Sequence, residues 1–274
     1  MALSAVQDVK RLRGGAQAHQ MRASDDNFYV VKFRNNPQHP RVLANDLMVS
    51  RLAQRIGLPV PPAEVIEVED WLIRHTPELN IQLAHNTIPC QAGLQFGSRY
   101  VVDPRQGQVF DYLPEASLAQ VKNLTAFAGA LALDKWTCNA NGRQAVFYRR
   151  GRERKYTAAF IDHGYCFNAG EWTFPDAPLR GVYLRNEVYE WIRGWESFEP
   201  WLSRLEQLDA PGIWACAEAV PPEWYGSDFD ALERLVEALV KRRGRVRALI
   251  LEFRNCSRQP FPLWTAAGVT VGHA

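Results

Sequence analysis

The stretch from residue 133 to residue 148 gathers side chains that could do chemistry at the end of an apolar segment. It reads LDKWTCNANGRQAVFY, and Asn139 follows Asp134 after four intervening residues. A carboxylate can orient or deprotonate a hydroxyl, and an amide oxygen can help to hold a metal over phosphates. The spacing therefore indicates a loop suited to phosphoryl transfer. A polar turn that caps the preceding helix through Asx hydrogen bonds is the alternative interpretation.

Three further features could cooperate with that loop. Gly14 and Gly15 lie in RGGAQA between two predicted strands, and the backbone of a glycine turn can approach a phosphate closely. Lys32 lies in the apolar strand YVVKF, where a buried ammonium needs a carboxylate. Asp46 on the following predicted helix is the candidate partner. Asp162 ends the apolar run in AAFIDHG, where its charge needs an ionic partner or a cation.

Oxygen-bearing side chains around these loops could hold a metal. Mg²⁺ prefers carboxylates and other hard oxygen ligands, together with water and substrate phosphates. Asp162 and Asn139 are therefore predicted to be metal ligands, and Asn141 is an alternative to Asn139. His163 is expected to pack or to bond locally rather than to act as a base.

The elements that must position these residues change in character along the chain. The first third contains strand-like runs such as NFYVVKF, AEVIEV and WLIRH around one amphipathic helix, predicted over residues 42–57. From residue 117 onward helical patterns dominate, interrupted by the β pair QAVFYRR and KYTAAFIDHG. The sequence therefore predicts an α+β fold, with an antiparallel-sheet N-lobe that has one helix, a connector near residues 103–116 and a mostly helical C-lobe. A cleft between the lobes would suit a ligand.

Composition excludes several classes of protein. The chain has 274 residues, of which 47% are hydrophobic, and its formal net charge is +2. This balance is typical of a globular protein and does not favour a nucleic-acid partner. The five cysteines form no CxxC pair, which argues against a disulfide framework and a zinc knuckle. Because the sequence has no long apolar run and no apolar leader, we expect a cytoplasmic protein without a membrane partner.

The order of these features resembles the protein-kinase-like superfamily and, within it, the bacterial HipA-like kinases. The resemblance lies in GGAQA, YVVKF, NDLMVSRLAQRIGLPVPPAEVI, LDKWTCNAN and FIDHG, and it covers roughly residues 10–255. The eukaryotic forms GxGxxG, HRD and DFG do not occur. The chain resembles a compact variety of the family, without the extra N-terminal subdomain of the full-length HipA toxins.

The resemblance implies a role for each of these positions. Lys32 would hold the α- and β-phosphates of ATP, and Asp46 would hold Lys32. Asp134 would be the catalytic base or would orient the acceptor hydroxyl, and Asn139 and Asp162 would bind Mg²⁺. The other implied nucleotide contacts are the turn at Gly14, Gly15 and Ala16 over the phosphates and the backbone at Tyr100, Val101 and Val102 beside the adenine.

The resemblance also implies an N-lobe over residues 1–103, a helical C-lobe over residues 104–255 and a tail over residues 256–274. It implies an ATP- and Mg²⁺-dependent kinase acting on a serine or threonine of an unidentified protein. A small-molecule or lipid acceptor, and a pseudokinase-like partner protein that binds nucleotide without turnover, remain open. So does an interaction protein, supported by an exposed PFPLWT tail. The basic loop at residues 149–155 is hypothesised to lie beside the cleft and to recruit an acidic substrate.

Overall fold

A closed five-stranded β-barrel forms the N-terminal part of the protein. The computed structural model describes residues 3–264. The strands within these residues are β1 (Leu3–Arg11), β2 (His19–Ala23), β3 (Phe28–Lys32), β4 (Ala63–Val68), β5 (Asn80–Gln82), β6 (Thr87–Pro89), β7 (Gly93–Arg99), β8 (Gly107–Phe110), β9 (Gln144–Arg150) and β10 (Thr157–Ile161). The barrel order is β1-β2-β3-β7-β4. Its pairs are antiparallel except for β1 with β4, which pair in parallel and close the sheet.

Alternation along the strands explains the barrel interior. Successive side chains of a strand point to opposite faces, and Tyr29 and Val31 of β3 are both buried. They share a hydrophobic cluster with Met21 of β2 and Ile66 of β4. Because the predicted antiparallel sheet closes on itself, its core strands have no open edge that would need covering.

Two short elements of the N-terminal part differ from the sequence expectation. The predicted strand WLIRH is instead the helix α2 (Asp70–Arg74), which buries the consecutive residues Leu72 and Ile73 against the barrel. A strand would have sent those two side chains to opposite faces. The strands β5 and β6 form a separate two-stranded hairpin. The N-terminal part therefore contains two helices rather than the one predicted.

The first long helix joins the barrel to the rest of the chain. Helix α1 (Val42–Arg55) ends where predicted, and Gly57 follows with φ +79°. Its apolar side chains are buried on nearly every face, and they belong to the same cluster as the C-terminal helices. An all-round apolar helix is expected to lie inside a protein. Helix α1 consequently lies between the barrel and the helical part.

The C-terminal part is helical around a three-stranded sheet. That sheet has the order β10-β9-β8, and β8 lies in the segment predicted to be a plain connector. A helical pattern was expected from residue 117 onward, but residues 119–125 are not helical and contact the chain at and just before β10. The side chain of Asn123 bonds both backbone groups of Ala158, and Lys122 N–H donates to Tyr156 O. The helices are α3 (Glu115–Leu118), α4 (Ala126–Trp136), α5 (Trp201–Gln207), α6 (Ala210–Ala217), α7 (Phe229–Arg242) and α8 (Val246–Arg254).

The amphipathic stretch before α5 is not a continuous helix. Between residues 186 and 200 the chain forms two short 3₁₀ turns, and α5 begins only after Pro200. Proline lacks the N–H that a helix interior requires, and Gly194 adds backbone freedom. None of the helices within residues 3–264 is long and apolar enough to cross a membrane.

The beginning of the predicted tail docks on the helical part. Phe261 is only 4% exposed and contacts the rings of Tyr189, Phe198 and Phe253. Trp264 stacks against Phe261 with ring centroids 5.7 Å apart. The expectation that PFPLWT is an exposed interaction tail is therefore wrong for these rings. Residues 265–274 of the predicted tail lie outside the described residues.

Candidate active site

A cavity of about 1160 Å³ opens between the barrel and the helical part. The turn between β1 and β2 covers one side of it, and β3 and α1 form another wall. The residues before β9 and after β10 lie opposite. Among the predicted site residues, the cavity wall includes Gly14, Gly15, Ala16, Lys32, Asp46, Tyr100, Val101 and Asp162.

Lys32 lies between two carboxylates on that wall. Its Nζ donates to Asp46 Oδ2 at 2.8 Å and to Asp162 Oδ1 at 2.7 Å. Burial alone would lower the pKa of Lys32, but the two carboxylates raise it above its usual value. The ammonium is therefore charged at neutral pH. A cation placed so can meet an anionic ligand while the two carboxylates hold its ammonium group in position.

The two carboxylates around Lys32 have opposite pKa shifts. Burial is the main cause that raises the pKa of Asp46, which is 1% exposed. Burial also acts on Asp162, but Lys32, Arg143 and a hydrogen bond from Gln144 bring its pKa below the usual value. Gln144 Nε2 donates to Asp162 Oδ2 at 2.6 Å. Asp162 is thus an ionised carboxylate facing the cavity, which is the state a metal ligand requires.

Helix α1 holds the loop that follows Asp162. Asp162 has φ +59°, a left-handed conformation that Asp tolerates better than most residues. The backbone N–H of His163 donates to Asp46 Oδ1 at 2.8 Å. Gly164 is required by space, because a Cβ there would lie 2.4 Å from Val42 Cγ2 and 3.0 Å from Asp46 Oδ2. The Asp-His-Gly segment is therefore fitted to the helix that carries the partner of Lys32.

Asn45 is a site residue that sequence reasoning missed. Its Nδ2 lies 2.9 Å from each of three loop carbonyls, those of Gly164, Cys166 and Ala169. Its Oδ1 accepts from Trp172 Nε1 at 2.8 Å. A fully buried amide with these partners ties the whole loop to α1. The signal in the sequence was the adjacent polar pair Asn45–Asp46 inside an apolar helix.

The carboxylate of Asp134 is buried and paired with Arg143, a second site residue that sequence reasoning missed. Arg143 Nε donates to Asp134 Oδ2 at 2.9 Å, and Arg143 Nη2 donates to Oδ1. Asp134 Oδ1 also accepts from Asn139 Nδ2 at 2.9 Å. Burial would lower the pKa of Arg143, but Asp134 raises it. The carboxylate is 1% exposed, and Oδ2 keeps one lone pair that these hydrogen bonds do not use.

Arg143 also determines the state of His163. Its Nη1 donates to Ile161 O at 2.8 Å and lies 3.1 Å from His163 Nδ1. Because a guanidinium is only a donor, Nδ1 must accept and the ring proton lies on Nε2. Burial, Arg143 and Lys32 hold the pKa of His163 well below its usual value. His163 is a neutral residue that bonds locally, as the sequence led us to expect.

The predicted metal ligands have the kind of oxygen atom that Mg²⁺ prefers, but only one of the two lines the cavity. Asp162 offers a carboxylate on the cavity wall, whereas Asn139, whose amide oxygen is the other predicted donor, is not among the residues that line it. Asn139 is 2% exposed, and its Oδ1 accepts the N–H of Asn141 at 3.0 Å, leaving a second lone pair. Asn141 itself lines the cavity. Within residues 3–264, no group of three or more His, Cys, Asp or Glu side chains could hold a metal by itself.

Gly181 packs against the Asp134–Asn139 loop from outside. It has φ +63°, and a Cβ there would lie 2.7 Å from Asp134 Cβ and 3.1 Å from Asn139 Cβ. The preceding carbonyl, of Arg180, accepts from Lys135 Nζ at 2.5 Å. Segment 180–182 therefore braces the back of the loop, a role that no local sequence pattern indicated.

The expected adenine contacts are only partly brought to the large cavity. Tyr100 and Val101 line both this cavity and a smaller one of about 540 Å³, whereas Val102, which is 5% exposed, lines only the smaller one. The Tyr100 N–H already donates to Phe28 O at 2.7 Å. Any adenine contact to Tyr100 must therefore use its other groups, and Val102 would require a different approach.

The basic loop at residues 149–155 contributes no side chain to the wall of the large cavity, although Arg150 lines the smaller one. In the β9–β10 hairpin, Ile161 pairs with Gln144, whereas Thr157 pairs with Tyr148 at the far end. At about 3.3 Å per residue, the loop lies roughly 13 Å from the Asp162 end. Arg149 is bound instead to Gln108 Oε1 at 2.7 and 3.0 Å. The β hairpin separates the loop from Asp162, and the recruitment of an acidic substrate by the loop stays a prediction.

Several solved kinase structures share this fold at low sequence identity. The Helicobacter pylori proinflammatory kinase CtkA has a TM-score of 0.52 and 10% identity, over 89% of this chain and 99% of that one. The Golgi casein kinase with Mn and ADP bound has a TM-score of 0.50 and 12% identity, over 94% and 74%. HipA of Shewanella oneidensis MR-1, in a complex with HipB and operator DNA, has a TM-score of 0.50 and 11% identity, over 92% and 69%. These likenesses show a protein-kinase-like fold.

Sequence comparison assigns the chain to a family, which the fold alone does not do. No curated protein matches the chain in sequence. A family model described as HipA-like kinase matches residues 8–241, which is most of the chain and spans the glycine turn, Lys32, the Asp134 loop and Asp162. The chain therefore belongs to the HipA-like kinase family.

Proposed function

We propose that this protein is an ATP- and Mg²⁺-dependent phosphotransferase that transfers the γ-phosphoryl group to a serine or threonine hydroxyl of a protein. The observation that carries the proposal is the position of Lys32 between Asp46 and Asp162 on the wall of the large cavity. A kinase-like neighbour has Mn and ADP bound, which supports the use of a nucleotide and a divalent metal. Phosphoryl transfer depends mainly on positioning and charge neutralisation.

Each side chain then has a part in the transfer. Lys32 neutralises the α- and β-phosphates, and Asp46 keeps it extended. Asp162 and the amide oxygen of Asn139 would hold Mg²⁺, which would screen the phosphate charge, with Asn141 as the alternative ligand. Asp134 orients the acceptor hydroxyl through the free lone pair on Oδ2, because Arg143 and Asn139 occupy its other positions.

The proposal also gives each of the two lobes a role and places the protein in the cytoplasm. The barrel over residues 1–103 covers the nucleotide, and residues 104–255 carry the loops that act on it, as two lobes around the cavity. A cytoplasmic location suits the five cysteines, all of which are free thiols.

A nucleotide-binding partner protein without turnover is the second candidate. Asp134 is 1% exposed and paired with a buried guanidinium, which favours a held carboxylate over a mobile base. Its replacement by asparagine separates the two candidates. In an enzyme, Asp134→Asn abolishes phosphate transfer and leaves nucleotide affinity nearly unchanged. In a partner protein, neither the wild type nor the variant transfers phosphate.

Calorimetric titration of ATP tests the nucleotide site directly. The wild type and Asp162→Asn are titrated with Mg²⁺ and again with excess chelator. Asp111→Asn is the matched control, because Asp111 is an exposed carboxylate on the same cavity wall. We expect Mg²⁺-dependent binding that Asp162→Asn weakens at least about tenfold and Asp111→Asn preserves. A folded wild type that binds no ATP would contradict the proposal.

The acceptor class needs a separate experiment. Labelled ATP is incubated with the enzyme and a cell extract that has been divided into dialysed protein, small-molecule and lipid fractions. Label that appears in protein and disappears with Asp134→Asn supports a protein acceptor. Label confined to another fraction would move the acceptor to a small molecule or a lipid head group.

A further inference from the structure

The glycine turn over the cavity is held in an unusual backbone conformation. It connects β1 to β2, with Leu12 N–H bonded to Ala18 O and Gln17 N–H bonded to Gly14 O. Gln17 has φ +50°, a left-handed conformation that residues with a long side chain seldom adopt. Such strain persists where the surrounding contacts over-determine it. The contacts that do so come from outside the turn.

The side-chain amide of Gln17 supplies those contacts by pairing with the backbone of a second hairpin. Its Nε2 donates to Gln82 O at 2.7 Å, and its Oε1 accepts the Gln82 N–H at 2.8 Å. Both backbone groups of a β5 residue are thereby satisfied, as a neighbouring strand would satisfy them. Because β5 pairs with β6 on one side only, the amide of Gln17 fills part of its open edge.

Arg11 strengthens the same junction. Its guanidinium donates to Gln17 Oε1 and lies 3.4 Å, from Nη1 to Oδ1, from Asn80 at the start of β5. The end of β1, the turn and β5 are therefore joined by three side-chain contacts. A two-stranded hairpin is marginally stable by itself, so these contacts order both partners.

We propose that the β5–β6 hairpin is the support of the glycine turn and that Gln17 is the positioning residue that links them. The link holds Gly14, Gly15 and Ala16 over the cavity in the absence of a ligand, so that their backbone is already placed for phosphates. This inference rests on the proposed function, because the nucleotide phosphates are what the turn would cover. Gln17 acts through the turn and does not itself touch the nucleotide.

Three variants separate the link from the backbone strain. Gln17→Ala removes the amide and keeps a strained residue, whereas Gln17→Gly removes the amide and relieves the strain. Gln82→Ala is the matched control, because Gln82 takes part only through its backbone and its side chain is exposed. Hydrogen exchange of the backbone N–H of residue 82 reports whether the link is formed. Calorimetric titration of ATP with Mg²⁺ reports the effect of the link on nucleotide affinity.

We expect the backbone N–H of residue 82 to be protected from exchange in the wild type and in Gln82→Ala, and to exchange fast in both Gln17 variants. The affinity for ATP should fall about tenfold in both Gln17 variants, because each loses the two hydrogen bonds to Gln82. It should stay unchanged in Gln82→Ala, which keeps them. In phosphate transfer, KM for ATP should rise while kcat changes little.

Two results would overturn the inference. One is an unprotected Gln82 amide in the folded wild type. The other is a Gln17→Gly variant that binds ATP as tightly as the wild type although its Gln82 backbone N–H exchanges fast. That result would mean that the turn needs no support from the hairpin. Failure of the proposed function looks different, because the wild type would then bind no ATP while its Gln82 amide stayed protected.

Discussion

Buried Arg143 donates hydrogen bonds to both carboxylate oxygens of Asp134, with Nε 2.9 Å from Oδ2 and Nη2 bonded to Oδ1. The same guanidinium reaches Ile161 O through Nη1. One buried side chain thus connects the last turn of α4, which carries Asp134, to the end of β10, which Asp162 follows. The orientation of the two acidic residues is therefore a joint property of the site.

The first prediction concerns Arg143→Lys. Lysine keeps the charge but cannot contact both oxygens and the Ile161 carbonyl in one plane. We expect kcat for phosphate transfer to fall about tenfold to a hundredfold, as for a misplaced catalytic group, with KM for ATP nearly unchanged. Initial rates at varied ATP check this.

Arg149→Lys is the matched control, because Arg149 forks onto Gln108 at the far end of the hairpin. A folded Arg143→Lys enzyme with the wild-type kcat would contradict the role assigned to Arg143. Removing the charge altogether is a poorer test, since an unpaired buried carboxylate destabilises a protein by about 3–5 kcal/mol.

The second prediction concerns Gly181→Ala. The new Cβ would meet Asp134 Cβ at 2.7 Å, so the segment or the loop must move. We expect phosphate transfer to fall by about a hundredfold, because a displacement of this size misplaces the catalytic group. Gly226→Ala has the same left-handed backbone, with φ +69°, but open space around its Cβ, so it should cost stability alone. Equal activity losses in the two variants would show that backbone strain, not the clash, is responsible.

The third prediction distinguishes the two amides that could serve the metal. We expect Asn139→Ala to raise the Mg²⁺ concentration for half-maximal transfer about tenfold, and Asn141→Ala to leave it unchanged. Rates are measured over a series of Mg²⁺ concentrations at saturating ATP. Asn139→Ala should also lower kcat at saturating metal, because Asp134 loses a hydrogen bond. The reverse pattern would make Asn141, which lines the cavity, the ligand.

The fourth prediction concerns pH and Lys135. Burial, partly offset by Asp134, lowers the pKa of Lys135 to about 8 from 10.5. The unfolded chain therefore binds more protons between these values, so the contribution of Lys135 to stability is present above pH 10.5 and is lost as pH falls through 8. Its size is at most about 3 kcal/mol, at 1.36 kcal/mol per pKa unit.

Urea unfolding of the wild type and Lys135→Met from pH 7 to 10.5 measures this contribution. We expect the stability of the wild type relative to the variant to rise with pH, and the variant to be at least as stable at pH 7. Lys241→Met, at an exposed position near the end of α7, should show no such trend. A constant difference between the wild type and Lys135→Met would mean that Lys135 stays charged throughout this range.

The sequence by itself determined the groups that could do the chemistry and the kind of fold that carries them. Lys32 in an apolar strand, Asp134 five residues before Asn139, and Asp162 two residues before Gly164 are local patterns. Each pattern is recognised from the cost of burying an unpaired charge or from the geometry of a short loop. Both arguments use only residues that are close in sequence. The periodicity of α1 is equally local, and its predicted extent agrees with the structure.

The tertiary structure decided which partners these groups have. Asp162 meets Lys32 across 130 residues, and Asn45 meets the Asp162 loop across 119 to 124 residues. Arg143 and Gln17 are inconspicuous in the sequence, because their importance comes from the atoms that packing brings within hydrogen-bonding distance. The helical pattern predicted from residue 117 is interrupted before Ala126 for the same reason, since the side chain of Asn123 pairs with Ala158 on a strand. Long-range contacts override local propensity wherever they satisfy more buried polar groups than a helix would.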